Sequence, residues 1–115
     1  MNVMHLANEM DAMVCKGQIV EAIEKFFSDD SKTLDFDGTP TNNKAQTVAK
    51  LTGFVGSIQA VNGITLHHAL AGEDVSTSEF TFDFDMKDGS KILWHEIIRR
   101  EWKDGKVINE QYFKN

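Results

Sequence analysis

The sequence has a single cysteine, Cys15, and a single proline, Pro40, in 115 residues. One cysteine excludes an internal disulfide, and a reducing, cytoplasmic setting is expected. There is no excess of basic charge. Twelve Lys and Arg stand against 18 Asp and Glu, a formal net charge of −6. With no basic patch, neither nucleic acid nor an anionic membrane is an expected partner. No apolar run approaches the length of a membrane span. Glu9 and Asp11 interrupt the first segment too early for a signal peptide. A glycine-rich phosphate loop, a nucleophile elbow and a Rossmann fingerprint are also missing, so no cofactor is expected.

What is present reads as one domain over residues 1–115. The 41% apolar and 26% charged residues are ordinary for a globular chain, so disorder is not expected. The length suffices for one core and not for two. Val3, Leu6, Met10 and Met13 recur at helical spacing and predict a helix over 3–14, stopped by Gly17. Its methionines read as adaptable core packing. Ile19, Ala22, Ile23, Phe26 and Phe27 predict a second helix over 18–28. A short strand is expected at 32–36 and a loop around Pro40. Asn43 with Gln46 resembles a capping box, opening a third helix from about 44 to 58.

From residue 62 the apolar period changes to two. Strands are predicted at 64–71, 75–86, 91–102 and 107–113, the last three joined by the turns KDGS and KDGK. Phe80, Phe82 and Phe84 share one face of their strand. Helices followed by a run of strands imply an α+β fold with the helices on one face of a curved, mostly antiparallel sheet.

The stretch FFSDDSKTLDFDG (26–38) carries four aspartates, Asp29, Asp30, Asp35 and Asp37. A calcium loop needs glycine at its sixth position and glutamate at its twelfth. Counted from Asp29 those positions are Leu34 and Pro40; counted from Asp35 they are Pro40 and Gln46. A calcium loop is therefore excluded.

The element order, with IVEAIEKFFSDDSKTLDFDG near the start and WKDGKVINEQYF at the end, resembles the SnoaL-like branch of the nuclear-transport-factor-2-like (NTF2-like) superfamily. The resemblance spans nearly the whole chain. It implies a cystatin-like cone: three N-terminal helices packed on a strongly curved sheet, with a pocket in the open end. Members include polyketide cyclases, ketosteroid isomerases, dehydratases and small homodimers of unknown activity. The resemblance implies a base at Asp35, where the isomerase pattern of Asp-Asp, four residues, Asp places its last aspartate. The isomerase's oxyanion tyrosine would fall near Glu9, and its second aspartate at Ile97 or Ile98, so steroid isomerisation by that mechanism is not expected. The other reading leaves Asp35 and Asp37 as loop caps facing water.

In LWHEIIRREW, Trp94, Glu96, Ile98, Arg100 and Trp102 share one strand face and His95 lies on the other. The tryptophan face is expected to look inward. Aromatic walls with one carboxylate and one guanidinium suit a ligand pocket; a solvated face with cross-strand ion pairs is the alternative. His67 and His68 are adjacent and are expected on opposite faces, and no HxH or HxxxH spacing exists, so a metal site is not expected. A dyad of His67 or His95 with Asp35 is the histidine alternative for a catalytic base.

The pocket residues expected are Phe26, Phe82, Trp94, Glu96, Arg100 and Tyr112, with Asp35, His67 and His95 as catalytic candidates. Two functions remain open. One is a homodimeric protein binding a small hydrophobic molecule, with cofactor-independent isomerase-, cyclase- or dehydratase-like acid–base chemistry. The other is a non-catalytic binding or dimerisation module. An open cavity holding a buried carboxylate or histidine of shifted pKa favours the first; a cone filled by its own aromatic side chains favours the second.

Overall fold

The computed structural model describes residues 1–114. Helix α1 (Val3–Cys15) is capped by Asn2, whose side chain accepts from the His5 N–H at 3.0 Å. It buries Val3, Ala7, Met10 and Val14, and with them the charged Asp11. Gly17 turns the chain at φ 80°, and α2 (Ile19–Phe26) buries Ala22, Ile23 and Phe26. Strand β1 (Phe27–Leu34) starts directly after α2. This is longer and earlier than the strand expected at 32–36. Phe27 pairs with Val107 of the last strand and Lys32 with Asn109, so the polar SDDS segment between them is carried into β1 as an irregularity in the register. Asp29 and Asp30 thus lie exposed on a strand.

Strand β2 (Pro40–Thr41) is a two-residue partner of β1. Helix α3 (Lys44–Gly56) starts at Asn43, whose side chain accepts from the Gln46 N–H at 2.9 Å. The Gln46 side chain accepts from the N–H of Asn42 in turn, one residue earlier than a capping box requires. Four long strands follow: β3 (Ile58–Ala71), β4 (Val75–Met86), β5 (Lys91–Lys103) and β6 (Lys106–Lys114). Ile58, expected at the end of the third helix, opens β3.

The six strands form one sheet in the order β2-β1-β6-β5-β4-β3, antiparallel except for the parallel pair β1–β6. Its inner face packs Phe80, Phe82, Phe84, Ile98, Trp102 and Val107 against Met10, Ala22, Ile23 and Phe26 of the helices. Strand β3 is bulged three times against β4. Such bulges bend a strand and deepen the curvature of a sheet. The bulge between Leu66 and His68 also puts His67 and His68 on the same, outer face, against the expectation of opposite faces. His67 Nε2 meets Thr81 Oγ1 at 2.7 Å and His68 Nε2 meets Glu79 at 3.0 Å, both outward residues of β4.

Candidate functional site

The helices and the concave sheet face enclose a cavity of about 230 Å³. Met10, Val14, Ile19 and Ile23 of α1 and α2 line one wall. Leu51 and Phe54 of α3 line another, and Phe82, Phe84, Trp94, Ile98 and Tyr112 of the sheet form the floor. The volume is below that of a pocket for a drug-sized molecule.

Alternation along β5 brings Trp94, Glu96, Ile98 and Arg100 to this concave side. Glu96, Ile98, Arg100 and Trp102 are buried, while Leu93 and Ile97 of the other face are exposed. The inward face of this strand is therefore the tryptophan face. Trp94 stacks on Phe54 at 5.8 Å between ring centroids and meets Phe36 edge-on at 5.8 Å. The Lys114 ammonium lies 4.2 Å from the Phe36 ring centre and 4.9 Å from that of Trp94.

Arg100 is 1% exposed and ties two elements together. Its Nη1 donates to Asp11 of α1 at 2.7 Å and its Nε to Glu110 of β6 at 2.9 Å. Ser78 Oγ donates to the other Asp11 oxygen at 2.5 Å, and the Tyr112 hydroxyl donates to Glu110. Burial pulls against the charged guanidinium, but Glu110 and Asp11 outweigh it and the Arg100 pKa rises. Burial, with Glu110 alongside, holds the Tyr112 hydroxyl well above its usual pKa.

Glu96 differs from these. It is 7% exposed, and its carboxyl has no side-chain hydrogen bond or ion pair among the described residues. Burial in the apolar cone, with Glu110 nearby, raises its pKa from 4.5 to about 7. Lys114, whose Cα stands opposite that of Glu96 on β6, offsets part of this rise.

Asp35 follows β1 at the mouth of the cavity, where Lys50 of α3 donates to it. Lys50 also reaches Thr41 Oγ1 at 3.5 Å. Asp37 is a loop cap: its carboxylate accepts from the Thr39 N–H at 3.0 Å, which lowers its pKa.

Three expected site residues lie elsewhere. Phe26 is core, packed edge-on against Trp102 at 6.1 Å and outside the cavity lining. His67 and His95 stand on the outer sheet face, on the far side of the sheet from Asp35, so no dyad forms. His95 bonds Glu79, and its ring centre lies 5.4 Å from that of His67.

The structure also adds residues that sequence reasoning missed: Asp11, Phe36, Lys50, Phe54, Glu110 and Lys114. For Asp11 a signal was available, since it sits one residue after Met10 and four after Ala7 on an apolar helix face. A charge in that stripe requires a buried partner. The others are assembled by α3 closing over the sheet and by the β5–β6 register, which neither composition nor periodicity specifies.

A helix-lined, curved mixed sheet closing on a pocket defines an NTF2-like α+β cone. The SnoaL-like domain family matches the chain over residues 1–114, and the chain belongs to that family. Solved structures share the fold at low identity. A candidate SnoaL-like polyketide cyclase from Mesorhizobium loti is 20% identical over 98% of this chain and 99% of that one, with a TM-score of 0.86. An NTF2-like protein of unknown function from Burkholderia pseudomallei is 8% identical over 97% and 89%, with a TM-score of 0.79. A protein of ketosteroid isomerase-like fold from Catenulispora acidiphila, solved in complex with trimethylamine, is 16% identical over 89% and 79%, with a TM-score of 0.73. No curated protein matches the chain in sequence.

Proposed function

We propose that this chain binds a small, largely apolar molecule in the cone and exchanges one proton with it through Glu96. The observation that carries this reading is the position of Glu96, a largely buried residue on the cavity wall with no side-chain partner among the described residues. Burial there raises its pKa to about 7, so that both protonation states are populated near neutrality. A group of that kind takes a proton from a bound molecule and returns it without a large energetic penalty in either direction. Isomerase-, cyclase- and dehydratase-like reactions each need such a step. Asp35 is the less available candidate, because its carboxylate is paired with Lys50 at the mouth. The open cavity favours this reading over a purely structural module.

A cytoplasmic location is supported by the single free cysteine, Cys15, among the described residues. A homodimer is supported by the outer sheet face, where Ile97 and Phe113 are cross-strand neighbours and, with Leu93 and Leu70, stand exposed.

The binding reading is tested by indole NMR of the nitrogen-15-labelled chain titrated with cyclohexanone, cyclohexanol and cyclohexylamine. Trp94 lines the cavity, whereas the Trp102 indole N–H is bonded to Ser76 in the core at 2.9 Å. At least one probe is expected to shift the Trp94 indole resonance saturably and to leave that of Trp102 in place. Failure of all three to move Trp94 would remove the cone as a ligand site.

A further inference from the structure

We propose that the molecule the cone accepts is a small organic cation, its charged nitrogen held between the Glu96 carboxylate and the aromatic surface of Trp94. This deepens the reading of the cone as a ligand site and rests on it.

Charge inside the cone is unbalanced. Asp11, Asp35, Glu96 and Glu110 face only two bases, Arg100 and Lys50. Arg100 is committed to Asp11 and Glu110, and Lys50 to Asp35. Glu96 is the carboxylate left over, more than nine-tenths buried and without a donor among the described residues. A buried carboxylate in apolar surroundings favours whatever brings a compensating positive charge. An anionic ligand would meet Glu96 and Glu110, with Lys114 at the entrance as the one nearby base not committed to a carboxylate among the described residues. A neutral one can at most donate a hydrogen bond to Glu96 and leaves its charge uncompensated.

The walls suit the same charge. The faces of aromatic rings attract cations, and Trp is the strongest of them. The chain itself supplies an example at the rim: the Lys114 ammonium rests over both Phe36 and Trp94. It is long, exposed and flexible, and it stands beside the entrance rather than within the cone. A ligand ammonium would take the same aromatic surface from deeper inside, where Glu96 adds its charge. The small volume favours compact substituents around that nitrogen.

Calorimetric titration at pH 8, where Glu96 is ionised, compares choline with its neutral isostere 3,3-dimethylbutan-1-ol. Choline is expected to bind at least about tenfold more tightly. Glu96→Gln is expected to cut that preference severalfold, leaving only what the aromatic surface contributes, while the alcohol still binds. Lys114→Met, which removes the competing ammonium from an exposed position, is expected to tighten choline severalfold. Equal or tighter binding of the alcohol would overturn the cationic ligand and leave the cone a ligand site. Binding of neither probe would overturn both. A preference undiminished in Glu96→Gln, or a loss of choline affinity in Lys114→Met, would also overturn the assignment.

Discussion

Glu96 is held in place by its neighbours along β5, with no partner of its own, and this has a consequence for stability. In the unfolded chain its carboxyl titrates near 4.5; in the folded chain near 7. Below pH 4.5 both states carry the proton, and the folded state pays nothing for the group. Between 4.5 and 7 the unfolded chain ionises first, so the folded state loses stability as pH rises. Above 7 the loss is complete, at about 3 kcal/mol for a shift of this size. Glu96→Gln cannot ionise. Denaturant unfolding at a series of pH values is expected to show the variant gaining on the parent from pH 4.5 to 7, by up to about 3 kcal/mol. A difference that does not change with pH would place the Glu96 carboxyl in water. Arg100 presents the opposite case. Its charge is buried but satisfied by Asp11 and Glu110, which makes it a cross-link between α1 and the sheet.

At the scale of elements, strand β5 shows what periodicity reveals and what it does not. Strict alternation separates Glu96, Ile98, Arg100 and Trp102 from Leu93, Ile97 and Arg99, and the two tryptophans point to the inner face. The β4–β5 and β5–β6 hairpins were legible for the same reason, with their Asp-Gly turns between alternating runs. Gly105 at φ 80° follows Asp104 at φ 53°, a pair of left-handed residues suited to a tight hairpin. Strand β1 was less legible, because its two ends are fixed by pairing with β6 and the polar residues between them follow as an irregularity, not through propensity. The bulge at His67 was hidden as well, since a bulge changes facing without changing sequence period. The outward face of β5 carries its own prediction. In sedimentation velocity the parent chain is expected to run as a dimer and Ile97→Glu as a folded monomer. A parent that runs as a monomer would exclude this face as a dimer contact.

For the whole molecule, the α+β order and the acidic surface follow from patterns that any window of the sequence displays. The cone's chemistry does not, because it depends on which residues from distant segments converge. Asp35, singled out by local resemblance, meets Lys50 from α3, fifteen residues on. Glu96 acquires its character from burial, with Glu110 across the sheet as the next contribution. The ionisation of Glu96 is therefore the point on which the functional reading stands. It is measured by following the Glu96 side-chain carboxyl carbon by NMR from pH 3 to pH 10, assigned by comparison with Glu96→Gln. The account predicts a midpoint near 7. A midpoint near the ordinary value of 4.5 would mean that the carboxyl is solvated, and the cone would have no proton to exchange near neutrality.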